Sequence, residues 1–418
     1  MGASAARAWL PTYGPWPNPG NAGRSVSVRR IDAIERRARL VRRHRLTPAD
    51  RAGDALEAAR SVVVLHSSDP ATVFLSVYAR TSGVLPADIE RALYDDRTLV
   101  RVLCMRRTLF VVPREVVTVV YAACTRTIAA RERRRLEQMI AVSGISTRPA
   151  AWLARASTAA LRAVEARGEA FTSEVVADVP VLAKRLRVGA GSRWEAIQSA
   201  GSRVLRQLAM EGRVVRGRPR GTWVNGQYRW VPTATWLGGD IEAINQAVAQ
   251  VELLRRWLAS FGPATETDLR WWTGWTAREA RAALAAVPHV VVDLDGSTGY
   301  VLADDVDDVE KPEPWAVLLP TLDPTTMGWK ERDWYLGTHG SVLFDSAGNA
   351  GPTVWWDGRV VGGWSQRRDG EIVYRLLEDI GSDAEAAVEA EAGRLEAWLG
   401  EVRLSPGFLP PFQRALSA

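Results

Sequence analysis

Apolar and polar residues alternate with helical periodicity near the start of the chain. The segment "RRIDAIERRARLVRRHRL" has apolar residues three and four positions apart, at Ile31, Ile34, Ala38 and Val41. This spacing is typical of an amphipathic helix, and the arginines between these positions predict a strongly basic outer face. Further along, Asp69 and Pro70 predict the cap and first turn of a helix over "PATVFLSVYAR".

Short β-favouring runs follow these helices. "LVRVLCMRRTLFVVP" contains two such runs around a basic centre, which predicts a hairpin. Helices followed by a basic hairpin are typical of a winged helix, a DNA-binding module. The order recurs in "SRVLRQLAMEGRVVRGRPRGTWVNGQYRWVP" and again before "HVVVDLDGSTGYVLADD". The pattern therefore predicts three winged helices in tandem.

The pattern changes after the acidic linker "DDVDDVEKPEP" to short β runs, with turns predicted at Asp357-Gly358 and Asp369-Gly370. These runs predict a small antiparallel barrel or sheet, closed by an Ala/Glu-rich helix. The fold class expected is α+β: three tandem winged-helix domains followed by a C-terminal antiparallel β-barrel. The expected boundaries are a flexible N-terminal tail at 1–27, winged helices at 28–114, 115–236 and 237–310, and the barrel with its terminal helix at 311–418.

Composition limits the classes of function. Of the 418 residues, 47% are hydrophobic, and no apolar run approaches the roughly 20 residues that span a bilayer. Two cysteines and four scattered histidines give neither a disulfide framework nor a metal-ligand spacing. We therefore expect a monomeric cytoplasmic protein, associated with the nucleoid, that has no metal, no cofactor and no membrane partner.

The net charge of +6 comes mainly from arginine, since the chain has only three lysines, Lys184, Lys311 and Lys330. Arginine binds phosphate through a bidentate fork and stacks on bases, which suits a nucleic-acid partner. The alternative is a general compositional bias toward arginine.

His66 and Ser68 are the candidate catalytic residues. They follow the apolar run "VVVL", and residues two apart in an extended segment point to the same side. An imidazole and a hydroxyl placed together can address one water molecule, and histidine exchanges a proton near neutral pH. The alternative is a strand-to-helix joint in which Ser68 or Asp69 only caps the next helix.

Basic and aromatic residues at the predicted hairpins are candidate DNA contacts. A wing meets phosphates or enters a groove, and aromatic rings stack on bases. The candidates are Arg106, Arg107, Thr108, Arg213, Arg216, Arg218, Arg220, Trp223 and Tyr228. For any single arginine, a solvated loop is an equally good interpretation. Asp323 and Arg332 are polar residues in an apolar frame, for which a structural salt link is the simplest interpretation.

Four segments together resemble one known family. "LHSSDPATVFLSVYAR", "LVRVLCMRRTLFVVP", "LLPTLDPTTMGWKERDWYL" and "GPTVWWDGRVVGGW" occur in the order and spacing seen in the AlkZ-like and YcaQ-like winged-helix DNA glycosylases. The resemblance covers about residues 28 to 400. It implies three tandem winged helices with a C-terminal β-barrel, excision of bulky alkylated purines and unhooking of interstrand crosslinks, in DNA repair or as self-resistance to a genotoxin.

The family's catalytic signature is Gln or His, any residue, then Gln or Asp. At the matching positions of this sequence, His66 takes the first place of the signature. Ser68 takes the third, where the family has Gln or Asp. The family's "MRGTLH" becomes "MRRTLF", so Arg107 replaces glycine and Phe110 replaces histidine. Arg332 is also included among the candidate DNA contacts.

The sequence therefore predicts a monofunctional DNA glycosylase that hydrolyses the N-glycosidic bond of bulky N7-alkylated purines in double-stranded DNA. Because no lysine lies near the motif, a Schiff-base mechanism is not expected. The alternatives are a non-catalytic winged-helix protein that regulates genes or binds damage, which Ser68 and Phe110 favour, and a scaffold that binds protein.

Overall fold

Helices and short antiparallel strands alternate along the chain in a computed structural model, which describes residues 28–189, 195–407 and 409–417. The tail expected at 1–27 lies outside the described residues. The N-terminal unit consists of helices α1 (Ala33–Arg43), α2 (Ala55–Ser61), α3 (Pro70–Arg80) and α4 (Pro86–Glu90) with strands β1 (Leu65–His66), β2 (Leu99–Leu103) and β3 (Leu109–Pro113). The strands form an antiparallel sheet in the order β1-β3-β2.

The predicted start of α3 is confirmed. The Oδ1 atom of Asp69 accepts the N–H of Ala71 at 3.0 Å, and Pro70 occupies the first turn. A short aspartate at this position satisfies a helical N–H that has no partner within the helix. The cap ends strand β1 abruptly at His66.

The basic outer face predicted for α1 is wrong for two of its arginines. Arg39 is 1% exposed, and its guanidinium donates to Glu35 Oε1 at 2.8 Å and to Asp305 Oδ1 at 3.2 Å. Arg36 is 8% exposed and lies 4.1 Å from the ring centroid of Trp334. The acidic segment that contains Asp305 folds back on α1 and neutralises part of this face. Helical periodicity cannot reveal such a contact.

The second unit has its own hydrophobic core. It consists of helices α5 (Val117–Val120), α6 (Arg126–Val142), α7 (Pro149–Arg167), α8 (Thr172–Asp178) and α9 (Ala200–Met210), with hairpins β4 (Arg185–Val188)–β5 (Ala196–Ser199) and β6 (Val214–Pro219)–β7 (Tyr228–Pro232). Leu153, Val164, Val204 and Leu205 are fully buried in this core.

The third unit repeats the helix-then-hairpin order. It consists of helices α10 (Thr233–Leu237), α11 (Gln246–Phe261), α12 (Glu266–Thr273) and α13 (Ala277–Ala286), followed by strands β8 (His289–Leu294) and β9 (Ser297–Leu302). One continuous core joins this unit to the first unit, to the C-terminal region and to parts of α5 and the β6–β7 hairpin, while most of the second unit packs around a separate core.

The C-terminal β-barrel is not present in the described residues. This region consists of β10 (Ala316–Leu319), α14 (Asp333–Leu336), α15 (Gly340–Leu343), β11 (Thr353–Trp356), β12 (Arg359–Gln366), β13 (Ile372–Leu376), α16 (Ser382–Leu399) and α17 (Pro411–Leu416). Its strands form an open antiparallel sheet in the order β10-β11-β12-β13. Four short strands are too few to close a barrel, and α16 packs against both edge strands instead.

The turn predicted at Asp357-Gly358 is confirmed. Both residues have positive φ, 50° and 76°, as a two-residue hairpin connection requires. The turn joins β11 to β12.

The salt link suggested for Asp323 and Arg332 is wrong, because Asp323 pairs with Arg80 of α3. The Arg80 guanidinium donates to Asp323 Oδ1 at 2.7 Å and to Oδ2 at 2.8 Å, and both side chains are fully buried. Ser76 donates to the same carboxylate at 2.7 Å. The pair ties α3 to the segment that follows β10.

Candidate active site

His66 lies at the end of β1, opposite Phe110 of β3. Its imidazole is 8% exposed and meets the Phe110 ring edge to face, with centroids 5.1 Å apart. Burial, and secondarily the positive charge of Arg106, lowers the pKa of His66 to about 3. The imidazole is therefore neutral over the whole physiological pH range.

The backbone N–H of Ser68 donates to Nδ1 of His66 at 3.3 Å. An imidazole that accepts at Nδ1 and is neutral carries its proton on Nε2. His66 thus offers an N–H donor at Nε2, while its Nδ1 lone pair accepts the backbone N–H of Ser68.

The three residues after Leu65 point in different directions. His66 is buried, Ser68 is exposed, and the Oγ of Ser67 accepts the Nε–H of Arg101 at 2.8 Å. The expectation that His66 and Ser68 share one face of a strand rests on continued strand geometry, but β1 ends at His66. A hydrogen bond from the Ser68 backbone N–H to the His66 imidazole, rather than strand alternation, links the two residues.

Arg106 projects from the turn between β2 and β3, where its own φ is 53°. Its guanidinium lies 4.3 Å from the ring centroid of Trp271 in α12, and Arg332 lies 5.1 Å from the same ring. Arg332 also lies 4.6 Å from the Phe344 ring. Burial and the neighbouring charge of Arg332 lower the pKa of Arg106 to about 10.

The first unit, the third unit and the C-terminal region thus contribute to one cationic and aromatic surface beside His66. Sequence reasoning selected Arg106 and Arg332 but assigned no role to Trp271. Nothing in the local sequence distinguishes this half-buried tryptophan from those of the core.

The predicted DNA contacts on the β6–β7 hairpin divide into two groups. Arg213, Arg218 and Arg220 are exposed, although Arg218 pairs with Asp95 at 2.6 Å and Arg220 lies over the Phe171 ring at 4.3 Å. Such arginines can exchange an exposed partner for a phosphate.

The remaining hairpin residues belong to the interior. Trp223 is 7% exposed and stacks on Phe74 at 4.6 Å. Tyr228 is 5% exposed and lies between the guanidinium groups of Arg101 and Arg216, at 4.3 and 5.5 Å. Neither ring is available to stack on a base in this conformation, so the structure does not support that expectation. Burial lowers the pKa of Arg216 to about 10.

Thr108 and Arg107 complete the first hairpin turn. The N–H of Thr108 donates to the carbonyl of Met105 at 2.9 Å, and its carbonyl accepts the N–H of Cys104 at 2.9 Å. Arg107 has a φ of 64° and extends toward Glu132 of α6. The turn therefore directs two consecutive arginines to different neighbours.

No set of three His, Cys, Asp or Glu side chains that could hold a metal ion occurs in residues 28–189, 195–407 or 409–417. Within the same ranges, no helix is long and apolar enough to span a membrane.

The family model of the AlkZ-like DNA glycosylases matches residues 59–398, which include the His66 segment, the β2–β3, β6–β7 and β8–β9 hairpins and the C-terminal sheet. The chain belongs to this family. The solved structure of the AlkZ DNA glycosylase of Streptomyces sahachiroi is similar, with a TM-score of 0.70 and 21% sequence identity over 90% of this chain and 98% of that one. It shows that this AlkZ-like chain has the same overall fold. A search of curated proteins gives no match.

Membership of the AlkZ-like family places the chain among DNA glycosylases and makes DNA its substrate. The structural likeness, at 21% identity, carries the fold alone.

Arg101 is a further residue that sequence reasoning missed. It is 2% exposed and links Ser67 to the hydroxyl of Tyr94.

Proposed function

We propose that the protein is a monofunctional DNA glycosylase that hydrolyses the N-glycosidic bond of bulky N7-alkylated purines, with His66 and Ser68 at the reacting nucleotide. The three helix-and-hairpin units act as winged helices on double-stranded DNA. The observation that carries this proposal is the neutral His66 imidazole beside the Arg106–Trp271–Arg332 surface.

The chemistry of the site suits a substrate with a good leaving group. Arg106 is the charged group that lowers the pKa of His66, so the imidazole lies in a positive rather than a negative electrostatic environment. An N7-alkylated purine already carries a positive charge and departs as a neutral base, so it needs no protonation. His66, through its Nε2–H, and Ser68 then need only to hold a water molecule against the sugar. The proton that this water loses when it bonds to the sugar carbon passes to solvent.

No lysine lies in the segments that carry His66, Arg106 and Trp271, so we propose no Schiff-base step. Lys184 donates to the carbonyl of Ile145 at 3.3 Å, and Lys311 pairs with Asp357 at 2.7 Å. Lys330, the third lysine of the chain, has an exposed side chain, and its backbone N–H donates to Asp268 Oδ1 at 2.9 Å. A hydrolytic, monofunctional reaction is therefore proposed.

The proposed DNA contacts are the accessible members of the sequence-derived set. Arg106 and Arg332 would hold the strand around the extruded nucleotide, where Trp271 supplies an aromatic face, because guanidinium groups bind phosphate and π-faces stack on bases. The other proposed contacts are Arg107, Thr108, Arg213, Arg218 and Arg220. We propose only a packing role for Trp223, Tyr228 and Arg216.

The proposal is tested with duplexes that carry N7-alkylguanine adducts of graded size. We expect free base to be released by the wild-type protein, and His66→Ala to reduce the excision rate by about a hundredfold, because the attacking water loses the Nε2–H donor that positions it. Affinity for undamaged duplex stays within about twofold in that variant, which serves as its folding control. Unchanged excision by His66→Ala would remove His66 from the mechanism.

The same assay extends to interstrand crosslinks. We propose that a site which accepts a bulky N7 adduct also accepts an N7-linked crosslink, whose unhooking releases two separable strands on a denaturing gel. Release of monoadducts without strand separation would restrict the activity to single-strand lesions.

A second candidate function is DNA or damage binding without excision. It is favoured by Ser68, which is shorter than the family's Gln or Asp, and by Phe110, which fills the space beside His66 with an apolar ring. This function predicts salt-sensitive duplex binding with no abasic sites formed on any of the graded substrates.

A further inference from the structure

Four arginines from three elements gather around the carboxylate of Glu132. Arg107 Nη1 lies 3.2 Å from both carboxylate oxygens, and Arg135 Nη1 lies 3.0 Å from Oε1. Arg206 of α9 donates to the backbone carbonyl of Arg107 at 3.3 Å. Arg203, one helical turn earlier, completes the group, which we call the Glu132 cluster.

The Glu132 cluster has more positive charge than it neutralises. Glu132 is the one acidic group that acts on the pKa values of Arg203 and Arg206, and neither of these arginines has an ion-pair partner within the described ranges. Arg203 instead donates to the neutral amide oxygen of Gln198 at 2.9 Å. Burial, and then the positive charge of Arg107, lowers the pKa of both arginines. Four guanidinium groups around one carboxylate leave a surplus of positive charge in a partly buried place, which favours a bound anion.

The cluster adjoins the candidate active site through the chain itself. Arg107 immediately follows Arg106, and the two side chains leave the same turn toward different neighbours. Arg135 belongs to α6, and Arg203 and Arg206 belong to α9, so the surface continues from the first unit onto the second. The cluster is therefore connected to the candidate active site by the turn that carries both Arg106 and Arg107.

We propose that the Glu132 cluster binds a phosphate of the DNA backbone that flanks the nucleotide held at His66. Planar guanidinium forks match phosphate oxygens, and backbone phosphates are the anions that a DNA substrate brings to this position. The inference rests on the DNA substrate of the proposed function and adds Arg135, Arg203 and Arg206 to its contacts.

The test measures affinity for undamaged duplex at a series of salt concentrations. Arg203→Gln is expected to lower affinity about tenfold at low salt and to reduce the slope of log affinity against log salt by about one, as loss of one phosphate contact does. Arg368→Gln is the matched control, because Arg368 is exposed in the turn before β13 and has no ion-pair partner among the described residues. A slope for Arg203→Gln equal to that of the control would overturn the proposal.

Two further variants separate DNA binding from a merely structural role. Arg107→Gly suits a backbone whose φ is 64°, so we expect an unchanged or higher melting temperature together with weaker binding. Glu132→Gln removes the carboxylate that competes with phosphate, so we expect tighter binding. A structural role predicts the opposite sign for Glu132→Gln, and weaker binding in that variant would also overturn the proposal.

These measurements do not require excision. Absence of base release alongside the expected salt slopes would refute the proposed enzymatic function and leave the phosphate site standing. Normal base release with unaltered slopes would refute the phosphate site alone.

Discussion

Individual residues at the candidate site have electrostatic properties that their sequence neighbours do not show. His66 is neutral because the sheet and Phe110 bury it, and Arg106 acts in the same direction. His44, in the same unit, is fully buried, and burial lowers its pKa well below the ordinary value. Both histidines must remain unprotonated in the folded protein.

The first prediction concerns pH. The unfolded chain protonates His66 near pH 6.5, whereas the folded chain does so near pH 3, so stability is lost as the pH falls through this window. We expect His66→Gln to lose stability less steeply than the wild type, by about 1.4 kcal/mol per pH unit between pH 6 and 4. Urea unfolding at several pH values measures the difference, and parallel curves for the two proteins would contradict it.

At the scale of elements, the joint between β1 and α3 holds the His66 segment in place. Asp69, 3% exposed, caps α3 through Oδ1, while its Oδ2 accepts the N–H of Gly407 at 2.9 Å. One carboxylate thus fixes the end of the site segment to both the next helix and the C-terminal part of the chain.

The second prediction concerns this joint. Asp69→Ala removes both hydrogen bonds, and we expect the free energy of unfolding to fall by about 2 kcal/mol. Asp69→Asn keeps an oxygen acceptor for the cap but places an N–H₂ donor against Gly407, so its loss is intermediate. Asp54→Ala is the matched control, since Asp54 caps α2 at an exposed site through the N–H of Glu57 at 2.7 Å. Equal losses in Asp69→Ala and Asp69→Asn would show that the cap of α3 contributes little, whereas no loss in Asp69→Asn would show that the contact with Gly407 contributes little.

At the scale of the whole molecule, a buried polar chain connects distant segments. Arg80 binds Asp323 and donates to Thr325 Oγ1 at 2.7 Å, and Thr325 Oγ1 lies 2.8 Å from Nδ1 of His44. Nε2 of His44 lies 3.1 Å from the carbonyl oxygen of Ser260. The chain therefore joins α1, α3, α11 and the segment after β10 into one unit.

The third prediction concerns the buried Arg80–Asp323 pair in this series of hydrogen bonds. Asp323→Ala leaves the buried guanidinium of Arg80 without its counter-charge, and we expect the free energy of unfolding to fall by about 3–5 kcal/mol. Replacing both residues, as Arg80→Met with Asp323→Leu, is expected to recover part of that loss. Arg367→Ala, which breaks the exposed pair with Glu371, is the control and should cost less than about 1 kcal/mol. Equal effects at the buried and exposed pairs in thermal unfolding would contradict the expectation.

The sequence by itself determined the local elements and the family. Periodicity, helix caps and turn residues predicted α3 and its cap, the β2–β3 hairpin and the Asp357-Gly358 turn, because each depends on residues close together in the chain. The spacing of four segments indicated the DNA glycosylase family, and His66, Arg106 and Arg332 were selected as candidates from their positions within those segments.

Only the tertiary structure decided which distant groups meet. It paired Asp323 with Arg80, placed Trp271 between Arg106 and Arg332, buried Trp223 and Tyr228, and left the C-terminal sheet open beneath α16. Burial and long-range charge also lowered the pKa of His66 and assembled the Glu132 cluster. These features depend on contacts between segments tens to hundreds of residues apart, and the local pattern of one sequence does not contain them.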